Sequence, residues 1–276
     1  MKLYTFTAGY SLVIGRLMRK DQPLKFIRMP MVCFLLERSE GLILVDTGLG
    51  TTTVRNPAEF PGIFYTMVLS FRIREGEEAI SRVKSLGYHA TDVKHIILTH
   101  LHMDHVGGLS DFPDAEVHIT RQGYATMNGQ ADKFMSFFHS GAFKHSPKWQ
   151  IHELNEKPFL GFPQSLDLFG DGNVVIVGTP GHTAGHIGVA ITLKNETFLH
   201  LGDAALFNDQ FLNPSIVAIG TKIFRWKANS TPMKESDSQK QLAAACENVM
   251  GLHTICSHDT WTLERWPKFP EPLAIG

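Results

Sequence analysis

The chain has 276 residues, of which 43% are hydrophobic and 19% are charged, as is typical of a globular protein with a large core. Its 26 basic residues nearly balance 27 acidic ones, for a formal net charge of -1, which argues against a nucleic-acid partner. No run of about 18 apolar residues is present, so we expect no membrane-spanning segment and no membrane partner.

The cysteines and the N-terminus bear on the compartment. Three cysteines lie far apart, and none forms a Cys-x-x-Cys pair, which argues against a disulfide framework and against a thiolate zinc site. The first twenty residues make a poor signal peptide, because polar residues interrupt the apolar run and the basic residues come late. The sequence therefore predicts a cytoplasmic protein.

Strand signals dominate the first half of the chain. Short apolar runs bounded by turn residues predict strands over 2–9, 31–38, 42–48, 94–100 and 115–120. A tight turn is expected at Ser39-Glu40-Gly41. The 3.6-residue spacing of apolar side chains predicts a helix over 76–88, and a second, short helix is expected from about Arg121.

The second half repeats this style. Apolar runs predict strands over 173–183, 186–193, 196–203 and 253–259, and a helix is expected over 237–250. Strands come in runs with helices interspersed, which favours an α+β class in which two sheets pack face to face with helices outside. Because neither an internal repeat nor a low-complexity linker is present, we expect residues 1–276 to form a single domain.

The stretch THLHMDH at 99–105 places several side chains of metal-binding type directly after a predicted strand. They are His100, His102, Asp104 and His105. A tetrahedral ion needs about four ligands, and so short a stretch of chain is too stiff to supply them all to one ion. Two neighbouring ions that share the loop fit better.

Three later strand ends carry side chains of the same type. His182 follows Pro180-Gly181, Asp203 follows Gly202, and His258 follows the last predicted strand core. Each lies beside a small or turn-forming residue at the end of an apolar run. The recurrence of this arrangement makes chance a poor explanation and indicates one shared metal centre.

In this order, the segments HLHMDH, GHTAGH, GD and SHD resemble the metallo-β-lactamase superfamily. The segment LLERSEGLILVDTGLG is similar to that superfamily's early strand pair and its Asp-Thr-Gly turn. Within the superfamily, the N-terminal half is most similar to the N-acyl-homoserine lactonase branch. The resemblance spans roughly residues 1–260 and implies the αββα sandwich, with two mixed β-sheets packed face to face and helices outside.

The same resemblance implies two metal sites. It assigns His100, His102 and His182 to a first ion, and Asp104, His105 and His258 to a second, with Asp203 bridging the two. A ligand set of imidazoles and carboxylates without thiolate suits two Zn²⁺ per chain, and Mn, Fe or Co are also compatible. Position 102 is His, where di-iron redox relatives usually have Glu, which disfavours an oxidoreductase.

The implied chemistry is hydrolysis. A water that bridges two dications becomes a hydroxide near neutral pH and attacks a carbonyl carbon, while a metal stabilises the oxyanion. Asp104 is the candidate catalytic residue that carries a proton to the leaving group. Metal-bound imidazoles usually donate their other N–H to a carboxylate or carbonyl, and Asp46 is a candidate for that role. His186 is expected to be a structural histidine or to donate a hydrogen bond to a metal ligand from behind.

The leading hypothesis is a dinuclear zinc hydrolase that opens a lactone ring through a metal-bridging hydroxide. Its expected substrates are similar to N-acyl-homoserine lactones, and their hydrolysis is quorum quenching. Phe64, within the apolar stretch 60–73, and Phe207 are candidates for the substrate cleft. Stretch 60–73 could equally belong to the core or to a homodimer interface. The lactonases commonly have Tyr three residues after the bridging Asp, where this chain has Leu206. Either the metal alone stabilises the oxyanion, or another side chain such as Tyr65 or Tyr124 substitutes, or the substrate differs.

Two other functions remain open. The first is another acyl hydrolase of the same fold, such as a glyoxalase II-like thioesterase or a β-lactamase. A glutathione thioester would need basic residues, which Lys222, Arg225 and Lys227 could provide. The second is a non-catalytic, metal-stabilised binding protein. This is disfavoured, because a structural zinc site is closed and needs only about four ligands.

Overall fold

The strands of the protein form two β-sheets in the computed structural model, which describes residues 1–55, 70–128, 140–229 and 231–276. In chain order, the strands are β1 (Lys2–Ile14), β2 (Phe26–Arg38), β3 (Gly41–Val45), β4 (Phe71–Arg72), β5 (Val93–Ile97), β6 (Glu116–Thr120), β7 (Lys148–His152), β8 (Ser165–Asp167), β9 (Val174–Gly178), β10 (Ile187–Leu193), β11 (Glu196–His200), β12 (Leu252–Ile255) and β13 (Ala274–Ile275).

The described helices are mostly short. They are α1 (Gly15–Met18), α2 (Thr51–Arg55), α3 (Ala79–Ser85), α4 (Met103–Val106), α5 (Arg121–Ala125), α6 (Asp209–Leu212), α7 (Ile219–Ala228), α8 (Pro232–Asn248) and α9 (Thr260–Leu263). Among the described residues, no helix combines the length and the apolar character that crossing a bilayer requires.

Both sheets are mixed. In the larger sheet the strand order is β13-β1-β2-β3-β5-β6-β7, and β4 pairs with β1. Its strands β1, β2 and β3 pair antiparallel, whereas β3, β5, β6 and β7 run parallel. The smaller sheet has the order β12-β11-β10-β9-β8, in which only β11 and β12 are parallel among the described strands. The predicted pair of mixed sheets is confirmed.

Strand β2 shows how the core is layered. Val32, Phe34 and Leu36 point between the sheets and pack with residues of β9 and β10. The alternate residues, Cys33 and Leu35, pack on the outer face with side chains of α3 and β5. This two-residue period follows from strand geometry, and each fully buried apolar side chain contributes about 1.5–3 kcal/mol. On the far side, α8 covers the smaller sheet through Leu242 and Ala245.

Several element boundaries differ from those predicted. Strand β1 continues to Ile14, because Gly9, with φ 105°, lies in an irregularity of the β1–β2 register between Thr7 and Tyr10 rather than at the strand's end. Helix α8 begins at Pro232, a favourable first helical position, and not at 237. Strands β7 and β8 and helix α7 were not predicted, since each is short or carries a mixed pattern.

The strand predicted over 94–100 also ends early. Strand β5 stops at Ile97, so the residues from 98 onward leave the sheet and are free to turn. The predicted strands over 42–48, 173–183 and 196–203 are likewise shorter, ending at Val45, Gly178 and His200. In each case the polar or small residues after the apolar run form a loop at the sheet's edge.

A row of histidines crosses the larger sheet. His95 Nδ1 lies 2.9 Å from His118 Nε2, and His118 Nδ1 lies 2.9 Å from His152 Nε2. Burial, reinforced by the neighbouring imidazoles, lowers the pKa of His118 to about 3. The ring therefore stays neutral in the folded protein at pH values where an exposed histidine would be charged.

This pKa predicts acid sensitivity of the metal-free protein. In the unfolded chain His118 titrates near pH 6.5, so between that value and about 3 the unfolded state binds more protons, and stability falls as the pH falls. Between about pH 8 and about pH 5.5, His118 alone lowers the free energy of unfolding by ~1.4 kcal/mol. Urea unfolding in the presence of a chelator measures the drop in the free energy of unfolding between these two pH values. We expect the drop in His118→Gln to be smaller than that in the parent protein by the same amount. An equal loss in both proteins would contradict the prediction.

Candidate metal centre

The loop after β5 carries the first group of candidate ligands. The Thr99 N–H donates to Asp46 Oδ1 at 2.8 Å, which fixes the chain as it leaves the sheet. His102 is still extended, and the short helix α4 then turns the chain so that Asp104 and His105 follow within one turn. His100, His102, Asp104 and His105 are all buried.

The other candidates arrive from the ends of strands in the smaller sheet. His182 follows β9, Asp203 follows β11, and His258 follows β12. Because β11 and β12 are parallel neighbours, their C-terminal ends lie at one edge of the sheet. A backbone hydrogen bond from Ser257 to Gly202 at 2.9 Å holds these two ends together.

Asp203 lies at the middle of the cluster. Its Oδ1 is 3.4 Å from His105 Nε2, and its Oδ2 is 3.4 Å from His182 Nε2 and 3.3 Å from His258 Nε2. On one side, His182 Nε2 lies 3.0 Å from His102 Nδ1. On the other, Asp104 Oδ2 lies 3.4 Å from His258 Nε2. The cluster has two halves, one formed by His100, His102 and His182 and the other by Asp104, His105 and His258. The Asp203 carboxylate faces both halves.

The donor atoms form groups of the size that a metal ion needs. Within each group the ligand atoms lie within 4.8 Å of one another; the groups are His100, His102 and His182, then Asp104, His105 and His258, and then His100, His105 and Asp203. Three inward donor atoms have no hydrogen-bond partner among the described residues: His100 Nε2, His105 Nε2 and Asp203 Oδ1. Buried polar atoms rarely stay unpaired, so this donor set fits metal binding.

The two halves of the cluster differ in charge. Burial, with the imidazoles of neighbouring histidines, holds the pKa of His100 and His102 well below the usual value, so both are neutral donors. Burial acts the same way on His105 and His258, but the surrounding carboxylates, Asp203 first, raise the pKa of both. The carboxylates thus create a negative site that attracts either protons or a dication.

Asp203 is held as an anion. Burial alone would raise its pKa, but the nearby His258 and His105 imidazoles bring the pKa of this carboxyl well below its usual range. Its backbone N–H donates to His186 Nε2 at 2.9 Å, and His186 Nδ1 in turn lies 2.8 Å from Thr179 Oγ1. His186 therefore contacts the Asp203 backbone and lies behind the cluster, outside the groups of converging donor atoms.

Asp46 supports the loop from beneath. Besides the Thr99 N–H, it accepts a hydrogen bond from the Thr99 hydroxyl at 2.8 Å, and its Oδ2 lies 2.8 Å from His105 Nδ1. The side chain is 1% exposed. This is the contact pattern by which a carboxylate orients a metal-binding imidazole.

Other contacts behind the cluster were not foreseen. His182 Nδ1 lies 2.9 Å from Asn229 Oδ1, and His258 Nδ1 lies 2.8 Å from the Pro30 carbonyl oxygen. Thr99 Oγ1 is 3.1 Å from His100 Nδ1. A backbone carbonyl carries no signal in the sequence, and Asn229, directly after helix α7, belongs to no motif. Only the Thr99 contact, one residue from a candidate ligand, had a local signal.

A cleft of about 160 Å³ opens beside the cluster, which contributes His102, Asp104, His182, Asp203 and His258 to its wall. The remaining wall is largely apolar and includes Leu12, Val13, Met29, Phe71, Leu206 and Phe224. Neither lysine nor arginine occurs among the described residues that line it.

The predicted cleft residues need one correction. Phe207 is fully buried and packs edge-on against Trp261, and its neighbour Leu206 lines the cleft instead. The chain after β11 is irregular, so strand alternation could not tell which of these two side chains faces the cleft. Tyr124 packs edge-on against Trp149 with the outer core of the larger sheet. Phe64 and Tyr65 lie outside the described residues.

Gly181 precedes His182 and should be intolerant of a side chain. Its φ is 144°, and a Cβ there would lie 2.3 Å from the Glu235 backbone in the first turn of α8. We expect Gly181→Ala to destabilise the protein by about 3 kcal/mol through strain and overpacking.

The matched control for this change is Gly170→Ala, where φ is 77° but no atom lies within 4 Å of the added Cβ. It should cost only about 1 kcal/mol, from backbone conformation alone. Urea unfolding measures both changes. Equal losses would show that the close approach of α8 to Gly181 does not matter.

Most of the chain is similar to proteins of one known family. The family model described as "Metallo-beta-lactamase superfamily" matches residues 29–245. A probable metallo-hydrolase of Mycobacterium tuberculosis is 32% identical over 233 residues, which cover 82% of this chain and 73% of that protein. An N-acyl homoserine lactonase of a Bacillus species is 29% identical over 218 residues, covering 77% of this chain and 79% of that protein.

Solved structures share the fold. An N-acyl homoserine lactone hydrolase, with the product N-hexanoyl-L-homoserine bound at its catalytic metal center, superposes with a TM-score of 0.75 at 24% identity over 98% of each chain. A dizinc quorum-quenching lactonase gives a TM-score of 0.62 at 18% identity, covering 94% of this chain and 87% of that one.

Proposed function

The chain belongs to the metallo-beta-lactamase superfamily and is a metallo-hydrolase, and on that premise we propose that it opens the ester ring of a lactone that carries an apolar acyl chain. N-acyl-homoserine lactones are the substrate class that best fits this description, and their hydrolysis would make the enzyme a quorum-quenching lactonase. The lactonase names of relatives that cover most of this chain support the proposal.

The observation that carries it is the character of the cleft. An apolar wall with neither lysine nor arginine among its described residues suits an uncharged lactone with a hydrocarbon chain. A glutathione thioester would need cations to meet its carboxylates. Arg225 instead donates to Glu235 at 2.7 Å, and Lys222 is exposed to solvent. The side chain of Lys227 lies outside the described set.

Two metal ions would occupy the cluster, and Zn²⁺ suits its imidazole and carboxylate donors, with Mn, Fe or Co as alternatives. We propose that His100, His102 and His182 hold one ion, that Asp104, His105 and His258 hold the other, and that Asp203 contacts both. When bound, such ions act as Lewis acids toward a carbonyl and lower the pKa of water at the centre.

The chain's own residues would then manage the proton. Opening a lactone adds water across the carbonyl carbon and the ring oxygen, so the ring C–O bond breaks and the released oxygen takes up a proton. Asp104 lines the cleft, and we propose it as the group that carries this proton. Asp46 and His186 act as positioning residues, through His105 and the Asp203 backbone. Leu206, at the cleft wall, has no hydroxyl to donate to the carbonyl oxygen.

A substrate panel tests the proposal. Purified, zinc-loaded protein is offered N-hexanoyl-homoserine lactone, an aryl ester, S-lactoylglutathione and a β-lactam. We expect the lactone to have the highest kcat/KM, with loss of turnover on chelation and about two metal equivalents per chain. Faster turnover of the thioester or the β-lactam would overturn the lactonase assignment. The absence of metal-dependent turnover of all four compounds would also overturn the lactonase assignment.

Domain organisation, compartment and oligomeric state are three further proposals. We infer that residues 1–276 form one domain, and that the protein is cytoplasmic, since its three cysteines are free. We also propose a homodimer, on the basis of the apolar stretch 60–73, most of which lies outside the described residues. Light scattering at micromolar concentration tests the dimer, and cell fractionation tests the compartment.

A further inference from the structure

A second set of side chains of metal-binding type lies in the larger sheet and shares no residue with the central cluster, which consists of His100, His102, Asp104, His105, His182, Asp203 and His258. The ligand atoms of His95, Glu116 and His118 are all within 4.8 Å of one another. His95 pairs with Glu116 across the parallel strands β5 and β6, and His118 follows two residues later, so all three side chains lie on the same face of the sheet. Their convergence therefore follows from the strand register.

The distances resemble those of the central cluster. His95 Nδ1 lies 2.9 Å from His118 Nε2, close to the 3.0 Å between His102 and His182. Glu116 Oε2 lies 3.5 Å from the same His95 nitrogen, too far for a good hydrogen bond but near enough for both to reach one ion. We propose that His95, Glu116 and His118 form a third metal site, for a divalent transition-metal ion such as Zn²⁺, Ni²⁺ or Cu²⁺.

The surroundings of His118 favour this use. Its Nδ1 lies 2.9 Å from His152 Nε2, and donation of the Nδ1 proton to His152 leaves the Nε2 lone pair directed at the site. The ring of Phe169 packs against both His95 and His118 and limits their rotation. Burial keeps the pKa of both histidines below the usual value, so they are neutral, as metal ligands must be.

The charge near the site is compatible with a cation. Arg38 is a positive group that acts on His95, but its guanidinium donates to Asp171 at 2.6 Å and to Glu40 at 3.3 Å. The side chain of Glu116 is 45% exposed and that of His95 is 26% exposed, so an ion can enter from solvent and keep water in its remaining positions. With three protein ligands and this exposure, the site is weaker than the central cluster. Two imidazoles favour Cu²⁺, Ni²⁺ and Zn²⁺ over Mg²⁺ and Ca²⁺.

An ion here would tie β5 to β6. Strand β5 leads directly into the loop that carries His100 to His105, so the site would stabilise the support of the central cluster without touching the cleft. Binding to the folded state alone raises stability by mass action, and we expect a rise in Tm with excess metal. This inference is independent of the substrate proposed above.

Equilibrium dialysis of the zinc-loaded protein against excess Zn²⁺ tests the site. We expect one equivalent beyond the metal that survives gel filtration, together with a rise in Tm in the presence of excess Ni²⁺. His95→Ala and Glu116→Gln, at partly exposed positions that should tolerate change, should lose both the extra equivalent and the Tm shift. They should retain the tightly bound metal and the hydrolytic activity of the parent protein.

The matched control is His253→Ala, which removes a histidine paired with Glu196 elsewhere on the surface. It should keep the extra equivalent and the Tm shift. No extra equivalent in the parent protein, or one that persists in His95→Ala and Glu116→Gln, would overturn the proposal and leave only a hydrogen-bonded row. Loss of the equivalent in the control as well would overturn it too, because the uptake would then be nonspecific.

Discussion

Replacing Asp203 with asparagine is expected to lower kcat/KM by at least about a thousandfold, or ~4 kcal/mol of transition-state stabilisation. Asp203 is the one carboxylate in the described cluster whose oxygens lie within 3.4 Å of imidazoles from both halves. An amide has no negative charge, and it presents only one oxygen to two sites. The change should therefore weaken the binding of both ions and loosen the contact between the two halves of the cluster.

Metal analysis and steady-state kinetics on the same preparations measure this effect. The matched control is Asp237→Asn, at an exposed position on α8 where the carboxylate pairs with Lys240. Its activity and metal content should equal those of the parent protein. If Asp203→Asn kept two metal equivalents and at least a tenth of the parent kcat/KM, Asp203 would not be the shared ligand.

Replacing Asp46 with asparagine should cost both stability and metal affinity. The carboxylate is 1% exposed and is contacted by three donors: the Thr99 N–H, the Thr99 hydroxyl and His105 Nδ1. Asparagine tolerates the positive φ of 57° at this position, so the change isolates the loss of charge and of one acceptor oxygen. We expect about 3 kcal/mol lower stability and roughly a 10- to 100-fold weaker hold on metal.

Asp167→Asn is the comparison for this substitution. Asp167 also accepts two hydrogen bonds, from the backbone N–H groups of Gly170 and Gly172, but in an exposed turn. Its replacement should cost about 1 kcal/mol or less and leave metal affinity unchanged. Urea unfolding of the metal-free proteins and competition with a chelating dye separate the two effects. A loss of stability in Asp46→Asn without weaker metal binding would limit Asp46 to a structural role.

The candidate ligands could be found from the sequence because each signal is local. An apolar run identifies a buried strand, and a histidine or aspartate beside a glycine or proline marks the point where that strand ends. Asp203 beside Gly202 and His182 after Pro180-Gly181 are of this kind. Since strand ends gather at sheet edges, repeated local signals pointed to a shared site before any contact was known.

Boundaries and directions were harder to predict. Gly9 looked like the end of a strand, but a register irregularity carries β1 on to Ile14. Phe207 looked like a cleft residue, but the irregular chain after Asp203 turns Leu206 toward the cleft. Both errors have the same cause: a residue type fixes what a side chain can do, whereas its direction depends on backbone geometry that neighbours in space decide.

The sequence by itself determined the chemical inventory: apolar runs that form strands, with imidazoles and carboxylates at their ends. Only the tertiary structure decided which atoms meet. The contacts of His182 with Asn229 and of His258 with the Pro30 carbonyl join residues 47 and 228 positions apart. The convergence of His95, Glu116 and His118 depends on the register between β5 and β6. Such contacts are set by the packing and pairing of strands, which no single stretch of sequence encodes.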